Sequence, residues 1–203
     1  MSAPTVANRI VFSGYTAAGK TTHARLVADE LGWRYLGMAE VLTEVAGFAE
    51  PRWTPELDRA RAEDPTIDQR ADARMTALVG DSVEVVVDAW LQPWLVPRRG
   101  TLTVWVESSF RSRAMKCLVS AVRRGSPVDP PGANRLLEDL EDKDTFSRRR
   151  FRELYGVRFG YDPGTFSVRF DNSAHIAEPT VAASDRGIRL GHPALMDHIR
   201  RRL

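Results

Sequence analysis

Short runs of apolar, mostly β-branched residues alternate along this chain with segments whose apolar positions recur three or four residues apart. Ile10-Val11-Phe12 stops at Ser13-Gly14 and reads as a buried strand closed by a turn. From Lys20 to Leu31, the residues Ala24, Leu26, Val27, Ala28 and Leu31 form one helical face, which Gly32 ends. A second helix is predicted over Ala39 to Ala46, before Gly47. Pro51, Pro55 and Pro65 interrupt residues 50–65 and leave room for at most one short helix. Ile67, Ala71, Met75 and Leu78 resume helical spacing up to Gly80. Val83-Glu84-Val85-Val86-Val87 and Thr101-Leu102-Thr103-Val104-Trp105-Val106 read as strands, and Phe110 to Arg123 as the helix after them. Beyond it the pattern predicts a loop from Gly125 to Gly132, a highly charged helix from Leu136 to Tyr155, a strand over Phe166 to Phe170 and a terminal helix from Pro193 to Leu203. Near-continuous apolar strands alternating with helices predict an α/β fold, its parallel sheet covered on both faces.

Composition narrows this only a little. The 203 residues are 43% hydrophobic and 28% charged, enough to bury a sizeable core. A balance of 29 Lys and Arg against 27 Asp and Glu leaves a net charge of +2, which argues against a nucleic-acid partner. Cys117 is the single cysteine, which excludes a disulfide framework and a multi-cysteine zinc site. No run approaches the ~20 apolar residues of a membrane span, so no membrane partner is expected. The first residues lack a charged stretch followed by an apolar one. The expected compartment is therefore the cytoplasm, and the expected state a monomer or homodimer. Lys20, Lys116 and Lys143 are the only lysines; because arginine supplies every other fixed positive charge, a single arginine says little.

Candidate chemistry starts between the first strand and the first helix. Gly14-Tyr15-Thr16-Ala17-Ala18-Gly19-Lys20-Thr21 matches Gly-x4-Gly-Lys-Ser/Thr in the strand–loop–helix setting the motif requires. Glycines let the backbone wrap a phosphate with its N–H groups turned inward, and the helix aims its positive end at the same point. Gly14, Ala17, Ala18, Gly19, Lys20, Thr21 and Thr22 are thus the candidate ATP site. Lys20 would meet the β- and γ-phosphates, and the Thr21 hydroxyl would bind Mg²⁺. A plain glycine turn would not explain why one of three lysines stands here. No Asn-Lys-x-Asp segment for reading guanine occurs, and the chain is short for an oligomeric ATPase core. A compact ATP-dependent kinase remains.

Five pieces then occur in order: Gly14–Thr22, Trp33-Arg34-Tyr35, Thr66-Ile67-Asp68-Gln69-Arg70-Ala71-Asp72, Val85-Val86-Val87-Asp88, and Arg148-Arg149-Arg150-Phe151-Arg152-Glu153-Leu154-Tyr155-Gly156. A strand ending Asp171-Asn172-Ser173 follows. Together, from Arg9 to about Asn172, they resemble the cytidylate-kinase-like branch of the P-loop nucleoside monophosphate kinases. The resemblance implies one P-loop kinase domain over residues 1–203, with a five-stranded parallel sheet and helices on both faces. It also implies a helical acceptor-binding insertion at about 37–74 and a small lid at about 125–155. ATP and Mg²⁺ come with it, as does a basic lid candidate of Lys143, Arg148, Arg149 and Arg150 around the transferred phosphoryl group, among which the resemblance favours Arg148 and Arg150. Arg111 and Arg113 stand where related kinases place arginines near the nucleotide.

Two positions depart from that pattern. Thr43, in Gly37-Met38-Ala39-Glu40-Val41-Leu42-Thr43, stands where relatives carry an arginine that grips the acceptor phosphate, and Trp90 replaces a second one. Each charge-assisted bond to a phosphate is worth roughly 1.5–3 kcal/mol. The expected acceptor is therefore neutral, a nucleoside or another ring-bearing alcohol. Glu40, Thr43, Phe48, Trp53, Trp90 and Trp94 are its candidate contacts, although each aromatic side chain could equally belong to the core. Asp88 ends a buried strand where open α/β sheets place ligands, suited to take the proton of an acceptor hydroxyl or to hold Mg²⁺. One alternative keeps CMP or dCMP as acceptor, with Arg52, Arg70, Arg74 or Arg98 supplying the missing charge. Another is a nucleotide-binding regulator without transfer, against which the basic lid argues.

Overall fold

A computed structural model describes residues 7–49, 54–125 and 129–203. Its sheet contains five parallel strands: β1 (Arg9–Ser13), β2 (Arg34–Gly37), β3 (Val85–Asp88), β4 (Thr101–Glu107) and β5 (Val168–Asp171). They lie in the order β2-β3-β1-β4-β5. From β1 the chain crosses to β2 at one edge and returns to β3, then passes β1 to reach β4 and β5 on its other side, so the direction of strand addition reverses next to β1. At such a switch point the loops beyond the carboxyl ends diverge and leave a crevice. The register sets Phe12 level with both Asp88 and Val104, so the residues after β1 and β3 emerge side by side.

Alternate strand residues point to opposite faces, and here each face has its own core. Ile10, Phe12, Val86 and Val104 pack with Ala24, Val27 and Ala28 of α1 (Lys20–Leu31) and with Leu195, Met196 and Ile199 of α8 (Val181–Arg200). Val11, Val85 and Val87 pack on the other side with α2 (Met38–Ala46), α3 (Pro55–Glu63) and α4 (Thr66–Gly80), the three helices inserted between β2 and β3. Burial on both faces is why these strands are apolar throughout. A third, aromatic cluster joins Trp105 of β4 to Phe151 near the end of α7 (Pro130–Tyr155), with Leu91, Phe159 and Phe166. The remaining helices are α5 (Gln92–Leu95) and α6 (Phe110–Arg123). Among the described residues, no helix is long and apolar enough to cross a membrane.

Several boundaries differ from the periodicity. Helix α7 starts at Pro130, inside the expected loop, because its first turn needs no N–H from Pro130 or Pro131 and Asp129 accepts the Gly132 N–H at 2.8 Å. The last helix starts at Val181, not Pro193. Thr180 caps it, accepting from the Ala183 N–H, and a buried stripe from Ala183 to Ile199 carries it through Pro193. A mid-helix proline costs about 3 kcal/mol, which burial of that stripe offsets. Strand β3 runs from Val85 to Asp88, leaving Val83 exposed, and β5 runs from Val168 to Asp171.

Candidate active site

The loop between β1 and α1 has the backbone that its glycines suggest. Gly14 has φ +148°, and a Cβ there would stand 2.5 Å from the Val106 carbonyl oxygen. Gly19 has φ +100°, and Ala17 also takes a left-handed conformation with φ 58°. Neighbouring side chains brace the loop. The Ala18 carbonyl accepts from Asn172 Nδ2 at 2.9 Å and from Lys116 Nζ at 3.4 Å, while Lys116 also donates to Asn172 Oδ1 at 2.5 Å. Arg113 donates to the Thr16 carbonyl at 3.1 Å and to Asp144 at 2.5 Å, and Asp144 accepts the Thr16 N–H at 3.0 Å. Arg113 therefore holds the loop in shape from behind.

Lys20 Nζ donates to the Tyr15 carbonyl at 2.8 Å and lies 5.3 Å from the centre of the Trp90 ring. Burial lowers its pKa to about 8, against the attraction of Asp88 and Asp144. An arriving polyphosphate would favour the ammonium form further. Thr21 Oγ1 donates to Asp88 Oδ2 in a short contact, and Tyr35 donates to the same oxygen at 3.4 Å.

Two cavities meet at this loop. The larger, about 760 Å³, runs from Thr16–His23 past Lys116, Cys117 and Ser120 of α6 to Asn172, His175 and Ile176. The smaller, about 230 Å³, lies among Met38, Ala39 and Leu42 of α2, Arg61 of α3, Asp68 and Asp72 of α4, Asp88, Trp90, and Lys143 and Phe151 of α7. Thr16, Ala17, Lys20, Thr21 and Lys143 border both. The first lies along the phosphate loop and α6, and the second on the side of the same loop that faces α2, α4 and Asp88. All three lysines of the chain border the larger cavity.

Of the residues expected from sequence, the structure brings together Gly14, Ala17, Ala18, Gly19, Lys20, Thr21, Thr22, Asp88, Trp90 and Arg113. Others it does not bring there. Thr43 is 2% exposed and donates back to the Ala39 and Glu40 carbonyls of its own helix, and Leu42, not Thr43, faces the smaller cavity. Glu40 is exposed and pairs with Arg25 at 3.1 Å. Phe48 packs on the core beneath α2, and Trp94 packs on Phe159 and Phe166. Arg111 is exposed on α6 and borders neither cavity. Arg148 is also exposed, donating to Thr145, with its guanidinium 6.0 Å from the Tyr15 ring. Arg150 turns inward: its Nε donates to Asp68 at 2.8 Å and its Nη2 to the Arg61 carbonyl at 2.7 Å. Trp53 and Arg52 lie outside the described residues.

Sequence reasoning missed Arg61, Asp68, Asp72 and Asp144, and grouped Lys143 with three arginines of the same helix without singling it out. Arg61 donates to Asp68 at 2.7 Å and to Asp58 at 3.0 Å, so Asp68 is held between two buried arginines. Asp72 accepts from Tyr155 at 2.7 Å, and burial raises its pKa to about 6 despite that bond. A signal was present: Asp68 and Asp72 stand one turn apart, beside the apolar stripe Ile67, Ala71 and Met75. Carboxylates next to a buried face need partners.

The residues present fit Mg²⁺. Among the described residues, no group of three or more acidic, histidine or cysteine side chains could hold a metal alone. Thr21, which borders both cavities, and Asp88, which borders the smaller, instead offer one hydroxyl and one carboxylate side by side. Mg²⁺ is typically held by such a sparse oxygen set together with substrate phosphates and waters.

No family model matches the chain. It is 32% identical over 160 residues to a cytidylate kinase of Desulfurococcus amylolyticus, covering 79% of this chain and 81% of that one. A cytidylate kinase of Halorubrum lacusprofundi is 29% identical over 152 residues, 74% of each chain. Among solved structures, a shikimate kinase from Bacteroides thetaiotaomicron shares the fold, with a TM-score of 0.54 over 94% of this chain and 98% of that one at 18% identity.

Proposed function

Since the chain belongs to the cytidylate kinase family and is an ATP-dependent phosphotransferase, we propose that its acceptor is a pyrimidine nucleoside monophosphate, CMP or dCMP. The observation that carries this reading is the wall of the smaller cavity, where Lys20 and Lys143 supply positive charge that positions 43 and 90 lack, and where Arg61 stands paired with Asp58 and Asp68. A phosphate dianion needs such partners once desolvated. Thr43 lines no part of the cavity, so half of the case for a neutral acceptor falls away. Asp68 and Asp72 border the same cavity and can accept from the exocyclic amino group of cytosine, which uracil lacks.

In this reading the loop N–H groups and Lys20 hold the β- and γ-phosphates of the donor, and Arg113 keeps the loop in that shape. Thr21 and Asp88 hold Mg²⁺, which neutralises charge on the phosphate oxygens. A phosphate acceptor attacks through an oxygen that is already ionised near neutral pH, so Asp88 serves the metal and removes no proton. Trp90 stacks on Phe159 and closes one side of the acceptor cavity against water. Positioning and charge supply the catalysis.

A second reading, a neutral ring-bearing alcohol, keeps one observation in its favour. Met38, Ala39, Leu42 and Trp90 make much of the cavity wall apolar. ADP release measured across CMP, dCMP, UMP, AMP and cytidine separates the two. We expect CMP or dCMP to be used at ~10⁴ M⁻¹s⁻¹ or better, within the range usual for enzymes on their own substrates. Cytidine turned over faster than CMP would overturn the proposal.

A further inference from the structure

In the family pattern that the chain resembles, Arg148 and Arg150 are the lid residues for the transferred phosphoryl group. Neither is placed for it here: Arg148 is exposed and borders neither cavity, and Arg150 is engaged with Asp68 and the Arg61 carbonyl. One lid cation does reach the right place. Lys143, nearer the start of α7, borders both cavities, and among the described residues it is the one outside the phosphate loop and its helix that does so. Its neighbour Asp144 accepts the Thr16 N–H and pairs with Arg113, which fixes this turn of α7 against the loop.

We propose that Lys143 is a catalytic residue, the cation that together with Lys20 meets the phosphoryl group between donor and acceptor. The assignment rests on the chain's being a phosphotransferase and is independent of which acceptor it uses. In the step, the bond from Pγ to the β,γ-bridging oxygen breaks with its electron pair leaving on ADP, and a bond from Pγ to an acceptor oxygen forms. Lys143 donates to the equatorial oxygens of the moving group and neither gains nor loses a proton.

A lysine differs from an arginine here because its charge can be lost near neutral pH. Burial lowers the Lys143 pKa to about 7. Lys20 at the loop and Arg61 on α3 push the same way, while Asp58 on α3 and Asp144 on its own helix oppose them.

The test uses the full chain with Mg²⁺, comparing binding of ADP with binding of ADP plus aluminium fluoride, which mimics the group in flight. In Lys143→Met, ADP affinity should stay within about threefold, while affinity for the fluoride complex falls by about a hundredfold. Lys143→Arg should recover most of that loss. Raising the pH from 6 to 8.5 should weaken the fluoride complex of the natural chain far more than that of Lys143→Arg. Equal affinity of Lys143→Met and the natural chain for ADP–aluminium fluoride would overturn the proposal, as would equal losses for ADP and the complex. Because these readouts need no acceptor, failure of the CMP reading in the acceptor panel leaves this result to be judged alone.

Discussion

Replacing Asp68 by alanine should be among the most damaging single changes outside the phosphate loop. Asp68 is 4% exposed and accepts at 2.7 Å from Arg61 and at 2.8 Å from Arg150, which are themselves 2% and 9% exposed. The alanine variant leaves two buried guanidinium groups facing a space where one carboxylate had served both. Removing one partner of a buried ion pair costs about 3–5 kcal/mol. For a chain of this size that corresponds to a fall in Tm of about 6–20 °C. Two compensations keep the estimate from growing: Asp58 still accepts from Arg61, and the Arg61 carbonyl still accepts from Arg150. Arg150→Met should cost less, about 1.5–3 kcal/mol, because Asp68 keeps Arg61 and only one charge-assisted pair is lost. Urea unfolding of the two variants and of Asp68→Asn, followed by fluorescence of the five tryptophans, gives the ordering. Asp68→Ala should unfold at the lowest urea concentration. A loss below about 1 kcal/mol in Asp68→Ala, or a larger loss in Arg150→Met, would refute the reasoning, since either result means that water screens the cluster.

Lys20→Ala should lower turnover by more than about a hundredfold, roughly 2.7 kcal/mol of transition-state stabilisation, with an unchanged circular dichroism spectrum; turnover within tenfold of the natural chain would remove Lys20 from the chemistry. Asp72 gives a pH dependence of stability. Its folded pKa, about 6, lies above the ordinary carboxylate value of 3.8, so the folded chain binds more protons between those values. Stability contributed by protonated Asp72 is therefore full below about pH 3.8 and lost as pH rises through about 6, a change on the order of 3 kcal/mol. Asp72→Asn should flatten that part of the profile, and an unchanged slope would show that another group causes it.

The parts legible in the sequence are those governed by local pattern. Ile10-Val11-Phe12 and Val85-Val86-Val87 read as buried strands because a parallel sheet covered on both faces needs apolar side chains in both directions. The phosphate loop was legible for a similar reason, since Gly14 and Gly19 are required by backbone geometry that neighbours in sequence determine. Strand β2 left only a faint trace: Arg34-Tyr35-Leu36-Gly37 is short, with an exposed arginine at its edge, and its pairing partner β3 lies about fifty residues away.

What the tertiary structure alone decided is which charged side chains meet. An arginine in the sequence looks alike whether it pairs with a neighbour in solvent, as Arg149 does with Glu153, or is buried against a distant carboxylate, as Arg150 is against Asp68. That difference depends on helix rotation, since 100° per residue separates Arg148, Arg149 and Arg150 onto different faces of α7. The same geometry turned Thr43 into its own helix and Leu42 toward the cavity, one residue apart. Periodicity tells which face of a helix is buried, but only packing against α3, α4 and the phosphate loop shows what that face meets. Residue type and spacing therefore sufficed for the sheet and the donor loop, whose contacts are local or repetitive. The wall of the smaller cavity is built from side chains of the phosphate loop, α2, α3, α4, the end of β3 and α7, and its make-up became visible only once they were folded together.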